Sequence, residues 1–430
     1  MEVIDRNKSP DINQIKKIDI LRASATKLKN GIPVYHINAG TQDLVKIELL
    51  FPAGMWQQSS PLVGSAANAM LNEGTSKHSS KEIAETMDYY GAFLHTEITH
   101  DFAVVGIHSL NKHLSSVLPM VEEIVTDSLF PKSEWDIYLQ NKKQSFIVNN
   151  NKVSFVSRKK FAELLFGNDH PYGHNVMESD FDKLNRDEAH DFYKQSYTAS
   201  DTIIVASGNV TDATLKLIEK HFGSMNRSSA IRHVSLKENN GQQATNNGQH
   251  YIEKKDAVQS AIRMGKMLFK KSHSDYCAML VVNTIFGGYF GSRLMANIRE
   301  DKGYTYGIGS ALVSFTNAGY FTISTEVGAE VTNDAVKEIY LELEKLQTEK
   351  VSESELALVR NYMLGTFLRS VDGPFALADR FKGIHFAGVG YEYYENFIET
   401  VRTITPEKIM ELANKYLKKD EMIELVVGKK

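Results

Sequence analysis

The chain repeats itself at an offset of 219 residues, and no other feature restricts its fold as much. The segments "NRDEAHDFYKQSYTASDTIIV" and "TPEKIMELANKYLKKDEMIEL" pair Glu188 with Glu407, Tyr197 with Tyr416, Asp201 with Asp420 and Ile204 with Ile423. Each reads as a helix followed by a strand. Upstream, Ser133 and Glu134 match Ser352 and Glu353 at the same offset, each pair opening a long helical pattern. Both halves begin with alternating segments, "VKIELLF" from Val45 and "SAIRMGKMLF" from Ser260, whose period near two predicts half-buried strands. A helix follows in each, over about 60–72 and about 274–286, and the two are candidate equivalents. Strands mixed with long helices, without regular βαβ alternation, predict an α+β chain of two tandem homologous domains. Each domain is expected to be a largely antiparallel sheet with helices packed on one face.

Composition fits this reading, since 430 residues with 42% hydrophobic content can bury two or three cores. The stretch "SMNRSSAIRHVSLKENNGQQATNNGQH" is rich in Ser, Asn, Gln and Gly and reads as a linker. The expected organisation is an N-terminal extension over 1–22, a first domain over 23–223, a linker over 224–248 and a second domain over 249–430. A net charge of −4 without a dense Lys/Arg run gives no electrostatic footprint for nucleic acid. The single cysteine, Cys277, excludes an internal disulfide and a cysteine-based zinc site. The first twenty residues lack the apolar core of a secretory signal, and no apolar run approaches the ~18 residues of a membrane span, so a cytoplasmic protein without a membrane partner is expected.

The stretches "LKNGIPVYHINAGTQDLVKIELLFPAGMWQQSSPLVGSAANAMLNEGT" and "GGYFGSRLMANIREDKGYTYGIGS" resemble the pitrilysin, insulinase and mitochondrial processing peptidase superfamily over nearly the whole chain. Active members carry His-x-x-Glu-His on the helix before a Gly-Thr pair, here Gly74-Thr75. Counting back, the motif falls on Ser-Ala-Ala-Asn-Ala, with Ser65, Asn68 and Ala69 where the resemblance implies two zinc-binding histidines and a general-base glutamate. A third ligand, a glutamate, is implied on the helix beginning near Ser133. Between Asp136 and Glu163 there is no acidic residue. No metal and no cofactor are therefore expected on this chain. His95 with His100, and His170 with His174, are read as ordinary surface or hydrogen-bonded histidines.

The second half keeps the family's pattern, because there the motif is intact. Arg299 precedes Tyr306 with the Arg-x6-Tyr spacing of the family's substrate-clamping pair. The resemblance implies that the arginine holds the substrate backbone and the tyrosine stabilises the oxyanion. Gly287, Gly288 and Gly291 are expected to form a flexible loop beside them, and Tyr304, Tyr306 and Ile308 to point alike from the following strand. An exposed arginine and an ordinary strand tyrosine are the plain alternative for this pair.

Some members of the superfamily are heterodimers in which one subunit holds the zinc motif and the other the Arg/Tyr pair. The leading expectation is thus the non-zinc subunit of a heterodimeric metallopeptidase, inactive alone, that orients an oligopeptide for a homologous zinc-bearing partner. An inactive scaffold, or a peptide-binding homologue without proteolysis, is the alternative.

Overall fold

The computed structural model describes Ile15 and residues 17–198, 200–226 and 247–429. Most of the 1–22 extension and residues 227–246 of the expected linker lie outside the described residues. Among those described, eleven strands form two sheets. The first comprises β1 (Ser24–Lys27), β2 (Pro33–Asn38), β3 (Leu44–Phe51), β4 (Phe93–Ile98), β5 (Ala103–Leu110) and β6 (Ile203–Gly208), in the order β1-β2-β6-β3-β5-β4. The second comprises β7 (Gly248–Glu253), β8 (Gln259–Leu268), β9 (Ile308–Ser314), β10 (Gly319–Gly328) and β11 (Ile423–Gly428), in the order β7-β11-β8-β10-β9. With β1 set aside the two orders superimpose strand for strand. Only β2–β6 and β7–β11 run parallel. The chain is thus an α+β fold of two sheets, and β6 and β11, where the sequence repeat is clearest, occupy equivalent places.

On one face of the first sheet, Val45, Ile47, Leu49 and Phe51 of β3 pack with Val63, Ala66, Ala67 and Met70 of the Val63–Met70 helix. Ile262 and Met264 of β8 pack in the same way with Met279, Val281 and Val282 of the Tyr276–Asn283 helix. These two helices fall inside the segments expected from periodicity, each a few residues shorter.

The opposite faces are not left to solvent, and here the half-buried reading of β3 fails. The Pro374–His385 helix, from the second half, lays Leu377, Ala378, Phe381 and Ile384 over Ile37, Leu50, Val104 and Val205 of the first sheet. Reciprocally, the Val153–Phe166 helix, from the first half, lays Val153, Phe161, Leu164 and Leu165 over Ala261, Ile423, Leu425 and Val427 of the second. At about 1.5–3 kcal/mol for each large apolar side chain fully buried, these helices contribute substantially to stability, and each half depends on the other for it.

Because β3 is covered on both sides, its alternate residues Lys46 and Glu48 are buried. Glu48 Oε1 accepts from Lys46 Nζ at 2.9 Å and from Lys382 Nζ at 2.7 Å. Asp379 adds a second carboxylate 2.8 Å from Lys382. Beside this network the rings of His95 on β4 and His108 on β5 lie 5.5 Å apart, and the Nδ1 atom of each is buried without a partner among the described residues. The His95 ring fills the space over Gly106, where a β-carbon would collide with it. Burial and then the Lys46 charge hold both imidazoles below the ordinary value of 6.5, against the opposing pull of Glu48, with Glu97 and Lys382 also acting on His95 and Asp379 on His108.

A histidine with a depressed folded pKa takes up its proton more readily when unfolded. Stability therefore declines as pH falls through 6.5 toward the folded values. The thermal unfolding midpoint is expected to be lower at pH 5.5 than at pH 7.5, with the difference reduced in a His95→Asn/His108→Asn variant. Identical pH dependence in the two proteins would remove these histidines as the cause.

Candidate functional site

The Val63–Met70 helix places Ser65, Asn68 and Ala69 where the family motif would project, and the side chains of Ser65 and Asn68 are already engaged. Ser65 Oγ donates to the Leu62 carbonyl at 2.9 Å and shares a hydrogen bond with the Tyr138 hydroxyl on the Lys132–Asn149 helix. Burial, only partly offset by that bond, pushes the Tyr138 phenol up to about 12, so it stays protonated as a donor. The Asn68 amide donates to the Tyr197 hydroxyl at 3.0 Å, and Tyr197 is fully buried against Phe51. Ala69 offers no donor atom. From Ile137 onward the Lys132–Asn149 helix carries no carboxylate. These neutral groups supply no histidine nitrogen and no carboxylate, so the donor set does not fit zinc. Among the described residues no group of three or more His, Cys, Asp or Glu is arranged to hold a metal ion.

The four histidines singled out earlier go elsewhere. His95 belongs to the buried network on the first sheet. His100 lies beyond the end of β4, with its ring 4.7 Å from that of Phe315. His170 lies among Phe166, Trp56 and Tyr172, and His174 Nδ1 sits 3.1 Å from the Asn168 carbonyl.

The second-half site is built from a tight turn, a short helix and a connection into β9. Gly287 and Gly288 close a π-helical turn, Thr284–Gly288, rather than a loose loop: a β-carbon on Gly287 would lie 2.6 Å from Ser310 Oγ, and one on Gly288 2.9 Å from Asn283 Nδ2. Gly291 follows beneath the Tyr289 ring. Arg293 then anchors the segment with paired hydrogen bonds, both 2.8 Å, to the Glu355 carboxylate on the Glu353–Arg369 helix. The π-helical Met295–Asp301 segment buries Met295 and Ile298 and presents Arg299 near its end. The Arg299 guanidinium lies 4.5 Å from the centre of the Phe290 ring, a cation–π contact that ties it to the glycine segment, and Glu300 lies 3.7 Å away.

Tyr306 is held differently. The strand expected to include it starts only at Ile308, so Tyr304 and Tyr306 lie in the connection and do not point alike. Tyr304 packs against the second core, whereas Tyr306 is 96% exposed. Thr305 fixes this geometry: its Oγ1 donates to the Glu326 carbonyl at 2.7 Å, accepts from the Gly307 N–H at 3.0 Å and lies 2.9 Å from Thr325 Oγ1. With the backbone pinned to β10, the Tyr306 ring is turned out over a cleft of about 380 Å³ whose lining includes Gln259, Arg263 and Ser154. Among the described residues the Tyr306 hydroxyl makes no hydrogen bond. The structure therefore joins Arg299 to Phe290 and the glycine turn, and sets Tyr306 on a separate, braced connection a few residues on. Thr305, Phe290, Arg293 and Arg263 escaped the sequence reading. The alternation Tyr304-Thr305-Tyr306 was the only signal for the first, and nothing local marks the other three.

With this geometry in view, the comparisons are consistent. Residues 34–164 match the family profile described as insulinase (peptidase family M16), and residues 183–363 match the one described as peptidase M16 inactive domain. The uncharacterized zinc protease YmxG of Bacillus subtilis is 22% identical over 403 residues, covering 93% of this chain and 96% of that protein. A peptidase M16 inactive domain from Pseudomonas fluorescens shares the fold with a TM-score of 0.83 at 22% identity, over 95% of this chain and 99% of that one. The periplasmic protease PqqL of Escherichia coli matches with a TM-score of 0.76 at 15% identity; the match takes in 99% of this chain and 48% of that one. Two profiles of one family, in sequence order on the two halves and on the fold just described, place the chain in the pitrilysin/insulinase superfamily, peptidase family M16.

Proposed function

We propose that this chain is the non-zinc subunit of a two-chain metallopeptidase, with Arg299 and Tyr306 as its contribution to the shared site. The observation that carries the reading is the contrast between the halves. The zinc positions are occupied by neutral groups, two of them engaged with neighbouring tyrosines, while Tyr306 is braced in full exposure at the mouth of a cleft. A large aromatic ring left in water gains nothing for the fold, and its rigid backing by Thr305 favours a role toward a ligand.

In this reading Arg299 supplies a permanently charged fork of donors for substrate carbonyls, pre-oriented by Phe290. Tyr306 donates its hydroxyl to the carbonyl oxygen on which negative charge develops, a contribution that counts most where water is excluded. Gly287, Gly288 and Gly291 keep the surface beside Arg299 low enough for an extended oligopeptide to pass. The partner is a homologous chain with an intact His-x-x-Glu-His, which supplies the zinc. That this chain corresponds to about half of PqqL supports a complete unit built from two such chains.

The test combines metal analysis with reconstitution. Dialysed against a weak chelator, the chain alone is expected to retain no stoichiometric zinc and to leave a quenched fluorescent peptide intact. Adding a purified homologous chain with the zinc motif from the same genome is expected to give hydrolysis well above that of either chain alone. One zinc retained per chain, or no gain on mixing, overturns the reading, and the second result favours a scaffold.

A further inference from the structure

The cleft under Tyr306 contains a guanidinium, that of Arg263, with no ion-pair partner among the described residues. Arg263 projects from β8 toward the Val153–Phe166 helix, on the face where it stands opposite Ser324 of β10. Its Nε donates to Ser157 Oγ at 3.3 Å, and among the described residues no carboxylate forms an ion pair with it. Glu326, the one carboxylate on the lining, is exposed and acts on Arg263 only weakly, whereas Arg158 on the facing helix repels it more strongly. The helix itself adds to the positive potential. It starts at Val153 with no side-chain cap and no acidic residue in its first turn, so its leading N–H groups remain open, and Ser154 and Ser157 of its first turns line the same cleft. Gln259 and Ser324 add neutral donors to the lining of the cleft.

Arg263 is half-buried in the cleft, and apart from its bond to Ser157 its N–H groups have no partner among the described residues, which leaves a place for an anion beside them. A planar carboxylate, which takes two parallel N–H bonds from the fork, suits that vacancy. We propose that this cleft is an anchoring subsite for a carboxylate of the bound peptide, gripped by Arg263 and the start of the Val153–Phe166 helix while the peptide backbone passes Tyr306. The inference rests on the reading of Tyr306 as a substrate-facing residue. The carboxylate is either the C-terminus of the peptide or an Asp/Glu side chain, and the cleft, at about 380 Å³, has the size of a specific ligand site.

Binding to the full chain alone, followed by fluorescence anisotropy, separates this subsite from the heterodimer question, because neither a partner nor hydrolysis enters the measurement. Three N-terminally labelled twelve-residue peptides of otherwise neutral sequence serve as probes: one with a free C-terminus, one with a C-terminal amide, and one amide with a central glutamate. A carboxylate-bearing peptide is expected to bind about tenfold more tightly than the neutral amide, and which of the two gains identifies the source of the carboxylate. Arg263→Gln is expected to abolish the gain and Arg263→Lys to keep part of it. Ser324→Asp, which sets a carboxylate opposite Arg263 without removing it, is expected to abolish the gain as well and covers the case in which Arg263→Gln fails to fold. Equal binding of all three peptides, no measurable binding of any, or a gain that survives both Arg263→Gln and Ser324→Asp overturns the proposal.

Discussion

Glu48→Ala is expected to lower the unfolding free energy by about 3–5 kcal/mol, the largest loss from any single polar substitution in this chain. The Glu48 side chain is 3% exposed and receives both Lys46 and Lys382. Its removal leaves two buried ammonium groups facing one another across a space that water cannot readily fill. Burial on its own would lower the Lys382 pKa, yet Glu48 and Asp379 together hold it above the ordinary lysine value, so the ammonium depends on them. Urea unfolding followed by circular dichroism measures the loss. Glu48→Gln, which keeps the shape without the charge, should fall between wild type and alanine. Combining Glu48→Ala with Lys46→Met and Lys382→Met should recover much of the stability, since what destabilises is the unpaired charge rather than the missing pair. A loss below about 1 kcal/mol for Glu48→Ala would mean that the network is solvated rather than buried.

The largest functional effect is expected at Tyr306, measured in the mixture of this chain with the zinc-bearing partner proposed for it. Tyr306→Phe keeps the ring and removes one donor, and turnover should fall roughly a hundredfold, the usual consequence of losing a single oxyanion contact worth about 3 kcal/mol. Because the side chain is almost wholly exposed, folding and association should be unaffected by the loss of one hydroxyl. Arg299→Ala should raise KM as well as lower kcat, since ground-state anchoring is lost with the charge. Tyr304→Phe, a change in a residue packed on the second core, should leave kcat/KM nearly unchanged and so controls for the neighbourhood. Wild-type cleavage by a mixture carrying both Tyr306→Phe and Arg299→Ala would sink the clamp assignment and make a scaffold role the better account.

What the sequence revealed and what it concealed have the same physical origin. The alternation of β3 and β8 and the degenerate Ser65-x-x-Asn68-Ala69 are local in the chain, the repeat is a local pattern written twice, and local patterns survive into the fold. The burial of Lys46 and Glu48 could not be read, because the lysine that completes the network stands 334 residues from Glu48. An alternating strand with charges on one face looks the same whether that face meets water or a helix from the other half. The segment "PFALADRFKGIH" likewise shows an apolar stripe without saying which sheet it covers. The glycine segment was misread as loose because composition reports backbone freedom but not the side chains that close in around it. Full exposure of Tyr306, one residue from the threonine that anchors the connection, depends on three hydrogen bonds to or near β10 that no periodicity encodes.

The reciprocal helices also set the order of events at the ribosome. When β6 emerges at residues 203–208 the first sheet has all its strands, but the face bearing Ile37, Leu50, Val104 and Val205 stays uncovered until the Pro374–His385 helix is made. At about 5–20 residues per second that delay is on the order of ten to thirty seconds. The second sheet is completed later still, since β11, which lies between β7 and β8, is made after all its other strands. A nascent chain of this protein therefore carries a sticky, half-clothed sheet through much of its translation, and conditions that stall synthesis between the halves should drive aggregation or chaperone capture far more than equal destabilisation of the finished protein.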